Sequence, residues 1–125
     1  MQAIGRWTGV PLSLQGPALL VGLGHGATHW VAAFFYLLLP FMGRDLGLSY
    51  ADMGLLVAVF HLSALVANFG SGLLVDLSGR RIVFQIASLI IGAVALLAYR
   101  WSVHYLSIAV LVALIGASNN LWHPP

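Results

Sequence analysis

Four long apolar runs, parted by short turns that hold most of the charge, fix what this chain can fold into. The runs cover about 17–41, 50–75, 82–99 and 103–121 of the 125 residues. A membrane-crossing helix needs about 20 predominantly apolar residues, and each run is of that order. Three of the five arginines and two of the three aspartates fall in the turns at 43–49, 76–81 and 99–105: Arg80, Arg81, Arg100, Asp76 and Asp45. Arg44 lies beside Asp45.

Composition agrees with the pattern. The chain is 61% hydrophobic and 6% charged, against about 25% charged in soluble domains, and its mean hydropathy is +0.99. These values predict an all-α, polytopic membrane bundle of four transmembrane helices, with the lipid bilayer as its first partner. A net charge of +2 is too small for a nucleic-acid surface. The absence of cysteine excludes disulfides, iron–sulfur clusters and thiolate metal sites. Nothing in the pattern indicates an enzyme, a cofactor or a complete metal site. Residues 1–16 read as a mildly polar cytoplasmic lead anchored by Trp7, and the first run reads as a retained span.

Polar residues within the runs recur at helical spacing. His25 and His29 are four apart and share a face with Tyr36 three turns on. Gly22 and Gly26 form a GxxxG spacing on the same helix. In the second run Gly54, His61, Asn68 and Gly72 form one stripe. Gln85, Ser88 and Gly92 share a face in the third, and Gly116, Asn120 and His123 in the fourth, where Asn119 adjoins them. These stripes are expected to point into the bundle. Imidazole titrates near neutral pH, and ionisable groups at membrane depth are functional candidates. His25, His29, His61, Asn68, Asn120 and His123 are therefore candidates for a substrate or proton pathway, with helix packing as the alternative role. The His25–His29 pair alone lacks a neighbouring carboxylate or thiol to complete a metal site. Ser49 and Asp52 have capping-box spacing at the start of the second run. Pro17 suits the start of the first, and Pro124 and Pro125 suit the end of the fourth.

The turn between the second and third runs carries the most specific motif. Gly72, Asp76, Gly79, Arg80 and Arg81 stand in the order G-x-x-x-D-x-x-G-R-R. Gly79 can end a helix through positive φ, and paired arginines mark a cytoplasmic loop. The motif resembles the signature between the second and third helices of the major facilitator superfamily at five of six positions, with Leu77 where a cation is usual. The chain from Gly24 onward also resembles the fosmidomycin-resistance subgroup. The likeness lies in His25, Leu38-Leu39-Pro40, Leu46-Gly47-Leu48-Ser49, Met53-Gly54-Leu55, and Gly116 with Ser118, His123 and Pro124.

That resemblance implies a secondary active transporter of the bacterial inner membrane, multi-pass with both termini cytoplasmic, exporting a drug or other small molecule by proton coupling. It implies a conformational gate at Gly72, Asp76, Gly79, Arg80 and Arg81. It also implies about twelve spans in two rocking halves. Four spans make an N-terminal portion, expected not to transport without a C-terminal half or another transporter chain. The alternative is a non-transporting remnant or an assembly partner of a longer transporter. A four-span dimeric exporter would want an intramembrane glutamate, and no Glu occurs.

Overall fold

The computed structural model describes residues 9 and 11–122 and folds them into four helices: α1 (Leu12–Leu46), α2 (Tyr50–Ser78), α3 (Arg81–Tyr99) and α4 (Tyr105–Leu121). No strand occurs among the described residues. At 1.5 Å per residue the helices measure about 52, 44, 28 and 25 Å, against a hydrocarbon core of about 30 Å. α1, α2 and α3 are long and apolar enough to cross a membrane; α4 is apolar but has 17 residues. Large apolar side chains stand exposed along them, among them Leu20, Trp30 and Phe69 at 65–75% of full exposure or close to it (70%, 71% and 75%). Such a surface suits lipid and not water.

The helix ends follow local chemistry. The Ser49 N–H donates to Asp52 Oδ2 at 2.9 Å, and the Asp52 N–H donates to Ser49 Oγ at 3.2 Å, completing the capping box. Gly79 closes α2 at φ 65°, its N–H reaching the Val75 carbonyl at 2.7 Å. α1 runs further than the expected 17–41 at both ends. Pro17 and Pro40 both lie inside it, where their rings leave the Ser13 and Tyr36 carbonyls without the usual helical donor. The turn expected at 43–49 shrinks because Gly47 takes φ 63° and Leu48 N–H donates to the Gly43 carbonyl at 2.8 Å. That six-to-one bond lets the helix continue through Arg44 and Asp45 before it stops.

α4 is the central element. It packs extensively against α2 and α3, and α1 rests on α4 and α3 with a briefer contact to α2. The core combines Phe35 and Met42 of α1, Leu56 and Phe60 of α2, Ala95 of α3, and Ile108, Val112 and Ile115 of α4. The Phe35 and Phe60 rings stack with centroids 5.0 Å apart. Small residues set the closest approaches. A Cβ at Gly116 would collide with the Phe60 carbonyl oxygen, and one at Gly92 would lie 3.0 Å from Ser118 Oγ. Ser88 Oγ donates to the Ser118 carbonyl at 2.6 Å, tying α3 to α4. Around Gly22 and Gly26 there is open space, so the GxxxG spacing packs against no other helix among the described residues.

Candidate functional site: an open polar face on α1 and α2

The polar stripes of α1 and α2 do not enter the four-helix core. His25, His29 and Tyr36 are exposed on α1, and His61 and Asn68 are exposed on α2. The expectation that they point inward is corrected by the packing. Phe35, Met42, Leu56 and Phe60 already fill the seam, and the stripes lie beside it. On α2, His61, Asn68, Gly72 and Asp76 fall within about a quarter-turn of one another at 3.6 residues per turn. Buried Leu56, Phe60, Ala64, Ser71 and Val75 occupy the adjoining face.

Two hydrogen-bonded pairs organise this face. The Nε2 atoms of His25 and His29 lie 3.0 Å apart, with the rings edge-on at 4.7 Å between centroids. Thr28, between them in the same turn, is buried and donates its hydroxyl to the His25 carbonyl at 2.7 Å. Further along, the Tyr36 hydroxyl meets His61 Nε2 at 2.8 Å and bridges α1 to α2. Tyr36 and His61 each also pack edge-on against Phe60, with centroids 5.7 and 5.3 Å from it. A core ring therefore supports the polar bridge. Periodicity placed Tyr36 on the histidine stripe but could not pair it with His61, because the pairing depends on how two helices are rotated and offset.

The other candidates lie apart from this pair. Asn120 is half-buried and its Nδ2 donates to the Gly116 carbonyl at 3.5 Å, within its own helix. Neighbouring Asn119 has a buried Oδ1 that no donor reaches among the described residues. His123 lies outside the described residues. In the α2–α3 turn Gly72 is half-buried, whereas Asp76, Gly79, Arg80 and Arg81 are exposed. Ser78 Oγ donates to the Leu74 carbonyl at 2.6 Å, and Arg80 N–H reaches Ser78 Oγ at 3.4 Å. Among the described residues the ion pair is Arg44–Asp45 at 2.9 Å, so Asp76 and the two arginines present their charges outward.

The larger grooves are elsewhere and apolar. One of about 540 Å³ runs between α2 and α4 past Val59, Leu62, Val66, Ala113 and Leu114. Its lining suits an acyl chain or another helix and offers no recognition of a polar solute.

A family model for the Major Facilitator Superfamily matches residues 19–124, which takes in all four helices, the polar face and the α2–α3 motif. The chain belongs to the major facilitator superfamily. No curated protein and no solved structure matches it. As a major facilitator chain it is a multi-pass membrane protein of a transporter family, with small molecules as the family's class of substrate. The exposed charges of Asp76, Arg80 and Arg81 are the motif through which this transporter family is recognised in the sequence.

Proposed function

We propose that the four helices form part of a proton-coupled exporter of small molecules in a bacterial inner membrane, resembling the fosmidomycin-resistance subgroup. The observation that carries the reading is the Tyr36–His61 bridge at 2.8 Å on a face lined by His25, His29 and Asn68. Polar and ionisable groups at membrane depth are costly against lipid and line solute or proton paths. In a transporter built of two rocking halves, such a face borders the central cavity. This face therefore needs a cover of further helices, from the same gene product or another transporter chain, and the four helices do not transport alone. The α2–α3 turn sits on the cytoplasmic side, where Asp76, Arg80 and Arg81 engage the opposing half and hold one of the two access states.

Efflux in bacterial cells expressing the full gene product tests this. Asp76→Asn and His25→Ala are each expected to lower export of a transported drug at least about tenfold, with membrane levels of the protein unchanged. Dissipating the proton gradient is expected to abolish export by the unmodified protein. Export that persists unaltered in both variants removes the gate and the pathway assignments together.

A further inference from the structure

We propose that His25 and His29 form a two-imidazole site for a divalent late-transition-metal ion, with Cu2+ and Ni2+ the best fits. The spacing of four residues stacks the two rings on one face of α1, and the rings converge through their Nε2 atoms at 3.0 Å. Imidazole nitrogen binds such ions at about 2.0–2.1 Å. Two nitrogens at that distance are about 2.9 Å apart when they subtend a right angle at the metal and about 3.3 Å apart at the tetrahedral angle. The observed separation matches the right angle. Tetragonal nitrogen and oxygen sites favour Cu2+ and Ni2+, whereas tetrahedral sites favour Zn2+.

The protons balance without loss. In the neutral pair one Nε2 carries hydrogen and the other accepts it. On metal binding the donor ring carries its hydrogen on Nδ1 instead, and both rings ligate through Nε2 as neutral imidazoles. No third His, Asp or Glu joins the pair among the described residues. The remaining coordination positions go to water or to an oxygen or nitrogen ligand, so the ion exchanges readily, as a carried or sensed ion does. The sequence offered two donors without a third; the interatomic distance makes those two sufficient for a cis-chelate. This site rests on the reading of the α1–α2 face as water-accessible, but its test involves no transport step.

The experiment is a Cu2+ titration of the purified, untagged protein in detergent, read by electron paramagnetic resonance. The expected result is one high-affinity site whose hyperfine pattern reports two nitrogens. His25→Gln and His29→Gln should each weaken binding at least tenfold and leave one nitrogen, while His61→Gln changes affinity less than twofold. In competition, Ni2+ should displace Zn2+ from the site. The unmodified protein supplies a readout independent of folding in the variants: bound Cu2+ should protect His25 and His29 from diethyl pyrocarbonate, mapped by mass spectrometry. Equal modification with and without metal, or an unaltered nitrogen count in the two variants, overturns the proposal. Loss of export with intact Cu2+ binding would count against the transport reading alone.

Discussion

Replacing Gly116 with alanine is the sharpest probe of how this bundle closes. The added methyl would overlap the Phe60 carbonyl oxygen and come within 2.5 Å of Ser63 Oγ. Ser63 can rotate away, but a backbone carbonyl inside α2 cannot. Ordinary carbon–oxygen contacts begin at about 3.3 Å, so α2 and α4 must part by about 1 Å where they cross. A gap of that size forfeits about a quarter to a half of each dispersion contact it opens. The affected seam includes buried Phe60, Val112 and Ile115. Overpacking of this kind costs about 1–3 kcal/mol, or about 5- to 140-fold in the folding equilibrium. Gly22→Ala is the matched control, because nothing lies within 4 Å of a Cβ there, and helix propensity favours alanine by up to about 1 kcal/mol. Unfolding in mixed micelles by added SDS, followed by circular dichroism and tryptophan fluorescence, measures both. Equal stability of the two variants would refute the close approach of α2 and α4 at Gly116.

Three other substitutions have definite expectations. Gly79→Ala forces a side chain into the left-handed region at φ 65° and should cost about 1–2 kcal/mol, read in the same SDS titration. Ser49→Ala removes the hydroxyl that caps α2 at 3.2 Å and should cost about 1 kcal/mol, with amide exchange rising first at Ala51 and Asp52. Ser88→Ala breaks the 2.6 Å bond to the Ser118 carbonyl and should cost about 0.6–2 kcal/mol, whereas Ser78→Ala, whose bond stays within α2, should change global stability by less. A reporter fused at Ser78 should lie in the cytoplasm, scored by alkaline phosphatase against fluorescent-protein activity; phosphatase activity there would invert the proposed topology.

Elements set by neighbours in sequence were legible before the fold was in view. The Ser49–Asp52 box and the Gly79 stop depend on contacts within four residues, and the structure has both. The third and fourth helices begin and end close to the expected bounds, since apolar runs and their flanking turns fix them. Other features required the relative placement of helices. Gly22 and Gly26 carry the same small-residue spacing that marks close packing elsewhere, yet Gly92 and Gly116 occupy the tight seams. One-helix periodicity reports a face but not what meets it. For that reason Tyr36 was visible on the histidine stripe while its bond to His61 was not, and the stripes were expected in a core that phenylalanines fill. The length of α1 was obscured by Pro17 and Pro40, whose usual reading as boundaries fails when the helix continues past them.

The central position of α4 has a consequence for how the protein is made. Translation delivers α1, α2 and α3 to the bilayer before the element that all of them grip. Until the seventeen residues of α4 emerge from the ribosome, the earlier rods share little common surface, and an insertase or a quality-control protease meets them unlatched. A pause ahead of Tyr105 would prolong that window, whereas arrival of Gly116 opposite Phe60 ends it.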